Sequence, residues 1–221
     1  MVADGVGGWG EVDVDSGIFS RFLCKEIAKI YNAKPAQSLK ETLVQAVQAN
    51  PHGGSTTAVI CKLDPEGKKM HTCNLGDSGY LIVRANEKGE LEKHFMSKAQ
   101  TYSFDFPYQC GQNCELPYDA IDNEHEVRHN DIVVVGTDGL FDNLFPDQII
   151  KSCIKPHVKD GHLARPEDAS LCTASLAEAI AYSETHVSPY TQDAIDHGEK
   201  KEDHLGGKPD DITVIVAQVK L

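Results

Sequence analysis

Long apolar runs are missing from this 221-residue chain. No stretch approaches the roughly 20 residues needed to cross a bilayer, so no membrane span is expected. No basic-then-apolar leader opens the chain, so no secretory signal is expected. Basic residues are scarce: 21 Lys and Arg stand against 34 Asp and Glu, for a formal net charge of −13. Such a surface repels a polyanion, which excludes nucleic acid as a partner. Cysteines in a regular, even-numbered pattern are also absent. The seven present are scattered at 24, 61, 73, 110, 114, 153 and 172. That scatter predicts reduced thiols in an intracellular compartment and no disulfide frame. Cys110 and Cys114 are spaced for a metal clip, but no second pair has zinc-like spacing, so they read as two loop thiols. With no internal repeat and no linker, residues 1–221 read as a single domain, with 40% apolar residues to build a core.

What is present begins with helices. Apolar Phe19, Phe22, Leu23, Ile27 and Ile30 recur at helical spacing within Ser16 to Asn32, with Asp15 or Ser16 as cap and Pro35 as stop. Ser38-Leu39-Lys40-Glu41 is a capping-box pattern and opens a second helix that buries Leu39, Leu43, Ala46 and Val47 and ends before Pro51. A meander follows, with strands over Ser55 to Leu63, Lys69 to Leu75, Tyr80 to Arg84 and Leu91 to Met96, and glycine or proline at its corners. Ser97 to Glu124 shows no period and reads as a long functional or mobile loop. Pro146 to Lys155 and Pro166 to Thr185 read as helices, the second with Leu171, Leu176, Ala179 and Ile180 on its apolar side. His186 to Lys208 reads as a polar loop, with Glu199 to Asp203 solvated. Ile212 to Val219 is a closing strand.

Carboxylates mark the ends of three of these segments. Ile132 to Val135 is apolar without alternation, which describes a strand buried on both faces. Asp138 then falls at its exit, and Gly139 lets the backbone turn. Alone, this segment reads as a strand ending in an Asx-type turn. Met1-Val2-Ala3-Asp4-Gly5 has the same grammar, with so few residues before the carboxylate that the chain reads as beginning partway along a strand. Asp210-Asp211 instead enter a strand. If that strand runs antiparallel to the other two, all three carboxylates reach one end of a sheet. Crowded carboxylates repel one another unless cations neutralise them. Oxygen-only ligands select magnesium or manganese over zinc. Two such ions bridged by a carboxylate activate a shared water and grip a phosphoryl oxygen, which would let a protein of charge −13 accept a phosphorylated substrate.

Five segments in order carry a resemblance. Val2-Ala3-Asp4-Gly5-Val6-Gly7-Gly8-Trp9, Gly53-Gly54-Ser55-Thr56-Thr57, Asn74-Leu75-Gly76-Asp77-Ser78-Gly79, Thr137-Asp138-Gly139-Leu140-Phe141-Asp142 and Gly207-Lys208-Pro209-Asp210-Asp211-Ile212-Thr213-Val214 resemble the motifs of the metal-dependent type 2C serine/threonine protein phosphatases. Trp9, the Phe-Pro-Tyr-Gln stretch at 106 to 109, and Ser188-Pro189-Tyr190 resemble that family's organellar branch. The resemblance implies an α+β fold: a four-layer αββα sandwich of two antiparallel sheets flanked by helices, here lacking its first strands and so an N-terminally incomplete catalytic domain. It implies hydrolysis of phosphoserine and phosphothreonine in proteins by a metal-bridging water, without a phospho-enzyme. Asp4 would bridge two Mg2+ or Mn2+ ions, the Gly5 carbonyl would ligate one, and Asp138 and Asp210 would hold the second. Asp77 would share a third, weaker site with Asp138. Asp4, Asp138 and Asp210 are thus the catalytic candidates, with Asp211 in a supporting place. Val6 stands where many members have histidine. The branch implies a mitochondrion or plastid, with the cytoplasm left open, and a monomer acting on phosphorylated proteins. Two alternatives stay open: a catalytically impaired phosphatase-like binding or regulatory module, and a metal-dependent hydrolase of small phosphoesters.

Overall fold

The computed structural model describes residues 1–111, 117–200 and 204–221. In chain order the main elements are helices α1 (Ser16–Ala33) and α2 (Leu39–Gln48), then strands β1 (Ala58–Asp64), β2 (Lys69–Leu75), β3 (Gly79–Ala85), β4 (Leu91–Met96), β5 (Ile121–Glu126) and β6 (Ile132–Gly136). Helices α3 (Asp138–Phe141), α4 (Pro166–Ala181) and α5 (Pro189–Asp196) follow, and strand β7 (Val214–Gln218) comes last. The chain divides into two compact units, Met1–Ser78 with Ala99–Glu126, and Gly79–Lys98 with Val127–Leu221.

In the first unit, β1, β2 and β5 form an antiparallel sheet in that order. The Asp15 carboxylate caps α1 by accepting from the Gly17 N–H, and Ser38 caps α2 by accepting from the Glu41 N–H. Phe19, Leu23 and Ile27 recur every fourth residue and are buried, as are Leu39, Leu43 and Ala46 on α2. Leu23, Ile27, Leu39, Leu43 and Ala46 pack with Ala58, Ile60, Cys73 and Leu75 of the sheet into one apolar cluster. The opening residues join this unit through bridges, Val2 opposite Val59 and Gly5 opposite Thr56, and not through a continuous strand.

In the second unit the antiparallel order is β7-β6-β3-β4. Every residue of β6 is buried, as its unbroken apolar run requires. Helix α4 starts at Pro166, a position where the missing N–H costs nothing. Its small residues Ala169 and Ala177 bring the helix close to Val134 and Val216 within one cluster. The Val216 N–H donates to Ser170 Oγ at 3.0 Å, so the helix also ties down the outer strand β7.

A buried ion pair anchors β3 to the turn before β6. Arg84 donates from Nε to Asp131 Oδ1 at 2.9 Å and from Nη2 to Oδ2 at 2.6 Å, and the Arg128 N–H donates to the same Oδ2 at 2.8 Å. The Asp131 side chain is 2% exposed. Removing one member of such a pair strands the other charge. Asp131→Ala is therefore expected to lower unfolding free energy by about 3–5 kcal/mol, read as a drop in urea midpoint.

Four expectations are corrected. Cys153 and Cys172 form a disulfide, with Cα atoms 5.5 Å apart. The π-helical turn Ile149–Ile154 that carries Cys153 packs against α4, which brings together two thiols that counting along the chain keeps apart. Cys24, Cys61, Cys73 and Cys110 are free thiols, and burial pushes the Cys61 thiol up to about 12; Cys114 lies outside the described residues. The stretch from 97 to 124 holds short strands Thr101–Ser103, Phe106–Pro107 and Cys110–Gly111 and the start of β5. Its pairing partners are distant or brief, so it shows no sequence period. The segment from 186 to 208 contains α5, which begins at a Ser188 cap; only part of the run 199–203 is described. On α4 the buried face is Ala169, Thr173, Ala177 and Ala181, with Leu176 and Ile180 packed at its margin as expected, while Leu171 is 67% exposed and Ala179 is exposed too.

Candidate metal centre

Antiparallel pairing of β6 with β7 sets Gly136 opposite Val214. The residues just past one strand and just before the other therefore come to the same edge. There the Lys208 ammonium is 2.8 Å from Asp138 Oδ2, 3.0 Å from Asp142 Oδ2 and 3.3 Å from Asp210 Oδ2. Asp138 Oδ1 accepts from the Gly139 N–H at 2.9 Å, which aims the other oxygen at the lysine. Burial first, and then the neighbouring Asp138 charge, raise the Asp210 carboxyl above its ordinary range.

Two side chains hold the two segments together. The Thr137 hydroxyl donates to the Asp211 carbonyl at 3.1 Å and accepts from the Thr213 N–H at 3.1 Å. Asn143, fully buried, donates to the Gly139 carbonyl at 2.8 Å and to the Lys208 carbonyl at 2.9 Å, and accepts from the Lys208 N–H at 2.9 Å. Gly139 is required by contact: a Cβ there would lie 2.3 Å from the Asp211 carbonyl oxygen.

A further support comes from the helix α5 segment. Ser188 Oγ donates to the Gly206 carbonyl at 2.7 Å, as does Thr191 Oγ1, and the Tyr190 N–H donates to the Asp142 carbonyl at 2.9 Å. The Lys208 ammonium lies 5.6 Å from the centre of the Tyr190 ring, within cation–π range. The Ser-Pro-Tyr motif thus braces the Gly-Gly-Lys-Pro-Asp-Asp loop.

In the first unit, Thr57 is bonded to Asp4 and to Ser78, the neighbour of Asp77. The Thr57 N–H donates to the Asp4 carbonyl at 2.9 Å, and Thr56 Oγ1 donates to the same oxygen at 2.6 Å. Thr57 Oγ1 shares a 2.7 Å hydrogen bond with Ser78 Oγ beside Asp77. Gly76 turns there with φ +95°, and a Cβ would meet the Tyr108 carbonyl at 2.6 Å. Gly5 is also constrained, because a Cβ would meet the Ser16 backbone at 2.7 Å. Trp9 Nε1 donates to Ser55 Oγ at 2.6 Å, and Ser55 Oγ donates to Gln109 Oε1 at 2.5 Å. One chain of hydrogen bonds therefore links three of the sequence motifs.

Of the sequence candidates, the structure gathers Asp138 and Asp210 on one cation and adds Asp142, which the sequence reading passed over. Asp4, Gly5 and Asp77 belong to the other unit. Among the described residues no group of three or more His, Cys, Asp or Glu side chains forms a ready metal cage; the second unit's carboxylates converge on Lys208 instead. Thr57, Thr137, Asn143 and Lys208 were given no role by the sequence. Asn143 carried a signal, standing four residues after Gly139 where a helical turn returns it to that carbonyl.

No family model matches the chain. A protein phosphatase PTC7 homolog of Danio rerio is 35% identical over 229 residues, covering 99% of this chain and 75% of the relative. This chain belongs to the protein phosphatase 2C family. A probable protein phosphatase 2C 55 of Arabidopsis thaliana is 36% identical over 222 residues, and the chain spans 45% of its length. The X-ray structure of the photosystem II phosphatase PBCP matches with TM-score 0.86 at 31% identity, over 99% of this chain and 85% of that one. The Mycobacterium tuberculosis serine/threonine phosphatase PstP shares the fold, with TM-score 0.57 at 19% identity over 99% of this chain and 87% of that one. The expected α+β fold of antiparallel sheets with helices is therefore that of a type 2C phosphatase, and the relatives fit its organellar branch. Protein phosphatases of type 2C are metal-dependent enzymes acting on phosphorylated serine and threonine. In this phosphatase, Trp9-Ser55-Gln109 and Ser188-Thr191-Gly206 give that branch's sequence signatures a structural purpose.

Proposed function

We propose that this chain dephosphorylates serine and threonine in proteins with two Mg2+ or Mn2+ ions. Their ligands would be Asp4, the Gly5 carbonyl, Asp138 and Asp210, with Asp77 serving a third, weaker position. The observation that carries this reading is the convergence of Asp138, Asp142 and Asp210 on a single cation in a protein phosphatase 2C. The residues fit a hard divalent ion, since the side chains offered are all carboxylates and already hold positive charge.

When bound, the ions would supply Lewis acidity and would lower the pKa of a water enough for it to release a proton to solvent and serve as the nucleophile toward phosphorus. The chain's own contribution is positional. Asp138 is oriented by the Gly139 N–H, Asn143 and Thr137 fix the loop carrying Asp210, and Thr56 and Thr57 fix the backbone at Asp4. No helix among the described residues is long and apolar enough to cross a membrane. The organellar relatives support a mitochondrion or plastid as its location, where it would act as a monomer on phosphorylated proteins.

Phosphate release from a phosphothreonine peptide, with Mn2+ and after chelation, tests the reading. Release that depends on Mn2+ is expected. Hydrolysis that survives chelation would sink the metal mechanism, and no release under either condition would favour a binding module.

A further inference from the structure

Lys208 is out of place for a metal ligand set. A lysine cannot ligate a cation while it carries its proton, yet this ammonium sits within 3.3 Å of three carboxylates and is only 16% exposed. Its backbone is fixed on both sides by Asn143, so the position of the residue does not depend on its charge. The stem is flexible, and the ring of Tyr190 flanks the ammonium from the side of α5. A unit charge held here neutralises part of the repulsion among Asp138, Asp142 and Asp210. A divalent ion entering between Asp138 and Asp210 would compete with it, because two cations held on the same carboxylates repel one another at such distances.

We propose that Lys208 is a resident counter-cation that stabilises the metal-free Asp138–Asp210 site and competes with the incoming metal ion, so that it sets metal affinity. The proposal rests on the reading of Asp138 and Asp210 as metal ligands. No bond is made or broken: the lysine leaves as an ammonium, and the metal takes over the carboxylate oxygens. Without Lys208 the carboxylates would be uncompensated in the metal-free protein, and the metal would meet no rival.

The test is calorimetric titration of Mn2+ into chelator-stripped wild type, Lys208→Gln, Lys208→Arg and Asp138→Asn, with melting temperatures of metal-free and Mn2+-saturated protein. Lys208→Gln is expected to bind Mn2+ about tenfold more tightly, as when a competing state filled nine-tenths of the time is removed. Its metal-free form should melt below wild type and gain more on saturation, while Lys208→Arg, which keeps the charge, should bind close to wild type. Should Lys208→Gln not fold, Lys208→Met, which keeps the apolar stem, is judged by the same criterion. Unchanged or weaker Mn2+ affinity in the uncharged variant, with normal binding by wild type, overturns the proposal and leaves the metal reading standing. If wild type does not bind Mn2+, or Asp138→Asn binds it with undiminished affinity, the ligand assignment itself falls.

Discussion

Asp138→Asn is expected to lower phosphate release from a phosphothreonine peptide by about a hundred- to a thousandfold, the range lost when one charge-stabilising group leaves an active site. The fold should survive, because the amide oxygen can still accept the Gly139 N–H, the role that Oδ1 plays now. What disappears is the second, charged oxygen, whose partner in this structure is Lys208. Circular dichroism and urea midpoints close to wild type, together with the loss of turnover at saturating Mn2+, would establish a role in chemistry. Activity near wild type would remove Asp138 from the ligand set.

Asn143→Leu is expected to have the largest effect on stability near the site. The substitution keeps the branched shape, in a larger volume, but removes one acceptor and the donor of two hydrogen bonds, and leaves the Gly139 carbonyl and both Lys208 backbone groups without this partner. At roughly 1–3 kcal/mol for each buried polar group left unmade, a loss of about 3–5 kcal/mol is expected after partial relaxation. Because those groups also fix the loop that carries Asp210, Mn2+ affinity should fall together with the urea midpoint. A variant that loses stability but binds Mn2+ as wild type would show that the loop is positioned without Asn143.

These two residues illustrate what could be read from the chain. Asp138 was legible because a fully buried strand has no other place for a carboxylate than its end, and the antiparallel pairing of β6 with β7 then brings Asp210 to the same edge. Helices α1 and α2 were legible because their caps and apolar stripes are local features. Lys208 reaches Asp138 across 70 residues through its ammonium, and Asn143 reaches Lys208 across 65 through backbone groups that every residue possesses, so only the four-residue spacing of Asn143 from Gly139 announces either of them. Helix α5 escaped notice because it is short and polar, and its apolar stripe is too narrow to stand out from a loop. Leu171 misleads for the opposite reason: in an Ala-rich helix a large apolar residue draws the eye, but the fully buried positions are held by small residues, with Leu176 and Ile180 only at the margin of the core. The Cys153–Cys172 bond depends on how two helical segments pack, which no count of cysteines records.

Trp9 is the sole tryptophan of the chain. Its indole N–H is engaged by Ser55, whose hydroxyl is in turn held by Gln109, in the unit that carries Asp4. Its emission is therefore a built-in optical probe of one half of the molecule. It reports solvent and hydrogen bonding around the Asp4 segment and has no counterpart near Asp210, so light can be used to tell an event in one unit from an event in the other.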